Sequence, residues 1–403
     1  MEWSEGCERG ILEGWKEITA RSPALEQPPS CRIRDHFGEV ADPRIERSKR
    51  HQLLDIIIIA LCGVICGADG WVEIEEFGKA KLNWLRSFLE LPNGIPSHDT
   101  FGRVFAALDP QQFEQGFGRW VEALAGRTGG QVVALDGKTL RGSHDRSAGQ
   151  RALHMVSAWA SANRLVLAQV AVDGKSNEIT ALPLLLEMLD LRGCTVTIDA
   201  IGCQTAIARK IVEQGADYVL TVKANQGRLY EAVQEAFQLA EADGFAGVAH
   251  DRERTVEKGH GRIETRRTTT VSEPAWLAEV DPGTTWAGLR SIGKIERRRE
   301  LRGDVSEETH YYLSTLPGDA RGLGGAVREH WGIENGEHWV LDIAFREDES
   351  RVRVGHAAQN LGVLRRLALN LLRQDTGAKV GIKARRLRAG WDEQYLLRLL
   401  TGP

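Results

Sequence analysis

Two short stretches decide the fold: Val132-Val133-Ala134-Leu135-Asp136-Gly137-Lys138 and Cys194-Thr195-Val196-Thr197-Ile198-Asp199-Ala200. Each is an apolar, β-branched run that closes on an aspartate, the pattern of a buried strand with an acid at its end. Between them lie two further strand candidates, His154 to Ala160 and Leu165 to Val172. Ser161-Ala162-Asn163 separates these two and predicts a hairpin. A helix is expected over Ala181–Leu191, with Pro183 in its first turn. After the second aspartate come a helix (Thr205–Gln214), a strand (Tyr218–Val222) and a helix (Gly227–Ala240). A leading hairpin followed by strand–helix alternation predicts an α/β fold with a mixed sheet flanked by helices. Strand-like text at Arg262–Val271, Leu289–Arg298 and Thr309–Ser314 marks a β-rich insertion over about 252–315. Helical text resumes from Gly322 to Leu372.

If the first and fourth strands are parallel neighbours, Asp136 and Asp199 emerge together at one sheet edge, where open α/β sheets place their sites. Two close carboxylates repel each other. A divalent cation relieves that repulsion, and Mg²⁺ favours one or two carboxylates with phosphate oxygens. A third acid on a packing helix would complete a two-metal site for phosphoryl transfer. The competing reading is that each aspartate only caps the segment that follows it.

The rest of the chain sets the frame. Its 403 residues are 42% hydrophobic and 27% charged, values of an ordinary globular protein with two or three domains. The longest apolar run, Ile56 to Cys66, is too short for a membrane span and reads as a buried helix. The acidic start lacks a secretory pattern, and six cysteines without Cys-x-x-Cys spacing point to free thiols in a reducing cytosol. Residues 1–30 read as an N-terminal arm, 31–127 as a small helical domain, 128–375 as the sheet domain and 376–403 as a basic C-terminal segment. Within 31–127, Ser97 is the expected cap of a helix carrying Phe101, Val104, Phe105 and Leu108. From Arg351 to Gly390, ten basic residues face one acidic residue although the whole chain carries −4, a local field suited to a polyanion. Gly137-Lys138-Thr139 lacks the first glycine of a P-loop, Gly322-Leu323-Gly324 lacks the third glycine of a dinucleotide loop, and there is no His-Glu-x-x-His. ATPase, dehydrogenase and zinc-peptidase functions therefore lack their residues.

Seen whole, the sequence resembles bacterial insertion-sequence transposases of the DDE type, the H-repeat-associated branch. The resemblance runs from about residue 31 to 400. It rests on Asp35-His36-Phe37, Gly94-Ile95-Pro96-Ser97-His98-Asp99-Thr100-Phe101, Leu135-Asp136-Gly137-Lys138-Thr139-Leu140-Arg141-Gly142-Ser143, Lys175-Ser176-Asn177-Glu178-Ile179, Thr197-Ile198-Asp199-Ala200, Val222-Lys223-Ala224-Asn225-Gln226, His260-Gly261-Arg262-Ile263-Glu264 and His330-Trp331-Gly332-Ile333-Glu334-Asn335. It implies an RNase H-like core, a helical N-terminal domain associated with DNA binding, and a DNA transposase in the cytoplasm, at the nucleoid.

Carried onto this sequence, the resemblance makes Asp136 and Asp199 the first two acids and Glu334 the third, with Glu337 one turn on as the alternative. Together they would hold two Mg²⁺ or Mn²⁺ ions. Val327, His330 and Leu341 stand where related branches carry Tyr, Arg and Lys. The phosphate-neutralising role would then pass to His330, Lys223 or Arg141. Lys138, Asn225, Gln226, His260, Arg262, Lys383, Arg385, Arg386 and Arg388 are the further expected DNA contacts. The partner is double-stranded DNA, and a homodimer on DNA is expected because two element ends must be brought together. Rival functions are a nuclease that cuts without joining and a DNA-binding protein whose catalysis has decayed.

Overall fold

The computed structural model describes residues 35–401 apart from 126–129, 146–148, 150, 173–176, 260 and 303. The expected arm of residues 1–30 and the expected contact His260 lie outside the described residues.

The chain opens with helices: α1 (Leu53–Ile65), α2 (Trp71–Ala80), α3 (Leu82–Leu85), α4 (His98–Ala107) and α5 (Pro110–Ala125). The apolar run forms α1, and Ile56 to Ile59 are wholly buried, so it is an internal helix. No helix among the described residues is long and apolar enough to cross a membrane. Ser97 caps α4 by accepting the Thr100 N–H at 3.4 Å.

The sheet follows: β1 (Val132–Leu140), β2 (Leu153–Ala160), β3 (Leu165–Val172), α6 (Glu178–Glu187), β4 (Thr195–Ile198), α7 (Thr205–Glu213), β5 (Asp217–Val222) and α8 (Gly227–Ala242). β1, β2 and β3 pair antiparallel, whereas β1, β4 and β5 run parallel. The order β3-β2-β1-β4-β5 makes the mixed sheet flanked by helices that the sequence predicts. One boundary differs from expectation. Asn177 accepts the Ile179 N–H and starts α6 earlier, so Pro183 falls inside the helix and not in its first turn.

Four long antiparallel strands follow: β6 (His250–Gly259), β7 (Arg262–Val271), β8 (Ser291–Leu301) and β9 (Asp304–Ser314), with α9 (Pro274–Val280) between β7 and β8. β6 was not legible in the sequence, because its residues are charged and mostly exposed. These strands do not stand apart from the core. β9 pairs with β5, and the sheet continues to nine strands, ordered β3-β2-β1-β4-β5-β9-β8-β7-β6.

The C-terminal third is helical: α10 (Ala320–His330), a π turn (Glu334–His338), α11 (Trp339–Phe345), α12 (Ala357–Gln374), α13 (Ile382–Trp391) and α14 (Glu393–Thr401). α12 is buried along nearly its whole length, between β3 and the N-terminal helices α1, α4 and α5. In a helix surrounded on all sides, each polar group left without a partner is costly. Asn360 donates to the Phe105 and Leu108 carbonyls, and Asn370 both donates to and accepts from Val166.

α13 and α14 dock on this core. Leu396, Leu397 and Leu400 are buried, so the basic C-terminal segment is part of the packed fold. Arg386 is buried and donates to the Val64 and Ala344 carbonyls. That corrects its expected role, because a guanidinium spent on backbone oxygens in the interior does not meet phosphate. Arg385 is half-buried and donates to the Leu372, Asp375 and Ala378 carbonyls, closing the C-terminus of α12. Lys383 and Arg388 remain exposed.

Candidate active site

The register of the sheet builds the site. Leu135 pairs with Ile198 across the parallel β1–β4 ladder, so Asp136 and Asp199 follow on adjacent strands. β1 does not end at its acid as expected. It runs on to Leu140 because β2 continues to pair with it. β4 does end at its acid, and Asp199 caps a short 3-10 turn by accepting the Ala200 N–H at 2.6 Å.

Glu334 enters from the helix that packs over the sheet. Asp136, Asp199 and Glu334 line one cavity of about 100 Å³ with Thr197, Lys223, His310, Tyr312, His330 and Trp331. His330 Nδ1 lies 2.9 Å from the Thr197 hydroxyl, and His338 Nδ1 lies 3.6 Å from Asp136 Oδ2. The expected single helix through these residues is broken: His330 ends α10, whereas Glu334 and His338 open and close the π turn.

The electrostatics separate the three acids. Burial pushes Asp136 up to about 7, helped by the carboxylates of Glu178, Glu334 and Asp199. Burial acts upward on Asp199 too, but the Lys223 ammonium at 2.8 Å and the Ala200 N–H outweigh it and hold this carboxyl below its usual range. Glu334 is raised by burial and by Asp199. Desolvation brings His330 down to about 4 and lowers His338. Burial therefore disfavours the charged form of His330, which lines the cavity.

Glu337 takes the opposite path from Glu334. It is fully buried, and its Oε1 accepts from Arg366 Nε at 2.8 Å. It does not reach the cavity.

The expected contacts divide in the same way. Lys138 is buried, with its ammonium 2.7 Å from Asp342, 3.2 Å from Asp348 and 3.4 Å from Glu347. This corrects its expected phosphate contact, since three carboxylates already surround it. Arg141 is exposed and stands 3.3 Å from Asp348. Lys223 lies in the cavity wall. Asn225 and Gln226 donate to the Ala200 and Cys203 carbonyls at 3.2 and 2.6 Å, tying down the loop that follows Asp199. Arg262 is partly exposed at the start of β7, 3.8 Å from Glu264.

Some site residues were not singled out from sequence. Thr197 lies two residues before Asp199 and so shares its strand face, a readable signal. Tyr312 and His310 arrive on β9, more than a hundred residues downstream, with no local signal. Glu178 belongs to a quoted stretch. Its carboxylate accepts from His154 at 2.6 Å, and a Cβ at Gly137 would lie 2.2 Å from it. A side chain at this position would therefore displace the Glu178 carboxylate and the His154 ring from beside Asp136.

The donor set is hard and acidic, the chemistry Mg²⁺ or Mn²⁺ prefers. The neighbouring acids add to the upward push of burial on Asp136, a repulsion that a divalent cation relieves. In that sense the residues fit the metal. As arranged here, no three His, Cys, Asp or Glu side chains among the described residues are grouped to hold an ion, and Lys223 occupies Asp199. Binding would require that lysine to yield.

A second cavity of about 290 Å³ adjoins the first and shares His310, Tyr312, Val327 and Trp331 with it. Three of its four arginines are matched to carboxylates, Arg266 to Glu264, Arg297 to Glu308 and Arg328 to Glu257, and Arg321 is the fourth.

Comparison with known proteins gives the same picture. Residues 127–371 match the family model described as Transposase DDE domain, and residues 34–121 match its associated domain, DDE_Tnp_1-associated. The chain is 40% identical to "Putative transposase YncI" of Escherichia coli O157:H7, over 91% of this chain and 94% of the relative. It is 38% identical to "H repeat-associated putative transposase YhhI" of Escherichia coli strain K12, over 92% and 98%. A chain of the cryo-EM piggyBac transposase synaptic complex with hairpin DNA overlays at a TM-score of 0.43 and 10% identity, over 93% of this chain and 81% of that one, too loosely to argue from. On the family models and the two long relatives, this chain belongs to the DDE transposase family, alongside its H repeat-associated members.

Proposed function

We propose that this protein is a transposase that cuts DNA at the ends of its insertion sequence and joins those ends to target DNA, with Asp136, Asp199 and Glu334 as its three acids. The observation that carries the reading is that these carboxylates, from β1, β4 and the π turn, line one cavity in a chain of this family. The first step is hydrolysis of a phosphodiester at the element end, which frees a 3′-hydroxyl. In the second step that hydroxyl attacks a target phosphodiester in line and displaces a 3′-oxygen.

Two Mg²⁺ or Mn²⁺ ions, when bound, supply charge stabilisation for the in-line displacement. The protein's own groups prepare the site. Asp136, raised to about 7 by burial, would hold a metal in its ionised form. Lys223 keeps Asp199 ionised and lies within reach of an incoming phosphate once it leaves that carboxylate. Thr197 fixes the His330 ring, and the neutral imidazole leaves the field of the acids intact. The exposed Arg141, Arg262, Lys383 and Arg388 are the remaining candidates for phosphate contacts, where neutralisation dominates affinity. Double-stranded DNA is the partner, and two copies bring two ends together.

The test is a cleavage and joining assay with purified protein, Mg²⁺ and a labelled duplex carrying the DNA that flanks the gene. Nicking at the element boundary and joining to a second duplex, both lost in Glu334→Gln, support the reading. Cutting without joining marks a nuclease, and binding without any cutting marks a decayed DNA-binding protein.

A further inference from the structure

The fully buried guanidinium of Arg366, on α12, bridges two fully buried carboxylates. Its Nε reaches Glu337 Oε1 at 2.8 Å and its Nη1 reaches Glu347 Oε1 at 3.0 Å. Glu337 lies in the π turn, three residues after Glu334. Glu347 follows α11, and its second oxygen lies 3.4 Å from Lys138 Nζ. Lys138 sits on β1 two residues from Asp136, hence on the same strand face. A chain of fixed charges, Glu337–Arg366–Glu347–Lys138, therefore runs from the turn carrying one acid to the strand carrying another.

We propose that Arg366 is a positioning residue: by clamping Glu337 it holds the π turn in the register that delivers Glu334 to the acidic cavity, and through Glu347 and Lys138 it fixes that turn against Asp136. The inference rests on the reading of Asp136 and Glu334 as acids of the site.

Three observations carry it. First, a π turn is uncommon and costs good helical geometry, so it persists only when its surroundings dictate it. If this turn relaxed to α, the downstream register would rotate by about 100°. Glu334, which opens the turn, and Glu337 within it would then lose their present relative facing. Second, Gly336 at the centre of the turn lies against the Trp159 indole, where a Cβ would come within 2.6 Å, and its carbonyl accepts from Arg373. The turn is thus held from both sides. Third, a fully buried ion pair is a poor way to gain stability. Here Arg366 Nη2 and Glu337 Oε2 find no hydrogen-bond partner among the described residues, so the desolvation cost is not fully offset. Geometry is what the arrangement supplies.

The experiment uses the full-length protein as wild type, Arg366→Lys and Glu337→Gln, with Glu334→Gln as reference. Arg366→Lys keeps the charge but loses the two-pronged reach, and Glu337→Gln keeps the shape, so one variant remains informative if the other fails to fold. Two readouts are independent of activity: hydrogen exchange over residues 331–341, and Mn²⁺ binding by calorimetry. The expected result is exchange at least tenfold faster over 331–341 with β4 and β5 protected as in wild type. Mn²⁺ binding should weaken about tenfold, and DNA cleavage should fall in kcat with KM for the element end retained. Unchanged exchange over 331–341 overturns the proposal, and so does a uniform loss of protection through the sheet, which marks a purely structural pair. If Glu334→Gln binds Mn²⁺ and cuts like wild type, the assignment of the acids fails on its own account, while the exchange data still decide whether Arg366 holds the turn.

Discussion

The ammonium of Lys223 stands 2.8 Å from Asp199 Oδ1, in the wall of the cavity that Asp136 and Glu334 also line. An internal cation occupies the acid that a divalent ion would need. Removing it strips one positive charge from the site. Lys223→Ala should therefore tighten Mn²⁺ binding severalfold in a direct titration without DNA. An unchanged dissociation constant would show that the lysine leaves Asp199 at no cost.

The buried and exposed arginines of α13 should separate in experiment. Arg386 is enclosed and bonded to backbone carbonyls, and Arg386→Met leaves those acceptors unpaired in the interior. A loss of about 3 kcal/mol is expected, of the size seen when one partner of a buried polar arrangement is removed. Lys383→Ala should leave chemical denaturation unchanged. It should instead lower DNA affinity and reduce the salt slope of binding by about one.

Gly336 is constrained by contact. Gly336→Ala places a methyl group 2.6 Å from the Trp159 ring, an overpacking expected to cost about 1–3 kcal/mol. Trp159→Leu makes room at that point. In a double-mutant cycle the two substitutions should couple favourably, so that the pair is less destabilised than the sum. Strict additivity would mean that the clash is relieved elsewhere.

Glu114, on α5, is buried with Gln359 Nε2 donating to it at 3.1 Å, and burial pushes it up to about 8. A carboxyl raised above its unfolded value binds more protons folded than unfolded. Its contribution to stability is therefore full below about 4.5 and declines as pH rises towards 8. Glu114→Gln removes that decline. The variant should melt several degrees above wild type at pH 8, with the gap narrowing at pH 5. A gap that is constant with pH would show that Glu114 does not titrate in this range.

The sequence pointed to Asp136 and Asp199 because each follows directly on a short apolar, β-branched run, which is a local signal. The hairpin, the strand–helix alternation and the capped helix at Ser97 were legible for the same reason. The nine-strand continuity was not. The strands β7 to β9 read as an insertion, and only the pairing of β9 with β5 shows that they extend the core sheet.

The choice between Glu334 and Glu337 was open in sequence, since both sit in one helical stretch. Tertiary structure separates them, because a buried guanidinium from α12 claims Glu337 and leaves Glu334 at the cavity. Lys138 and Arg386 show the same limit. A basic residue in a basic stretch reads as a DNA contact, yet a count of charge along the chain does not reveal which cations face carboxylates or carbonyls inside. Local pattern fixed the chemistry available to this protein. Long-range packing decided which copy of each residue type is free to use it, because burial and partners, not residue type, set where a charge is available.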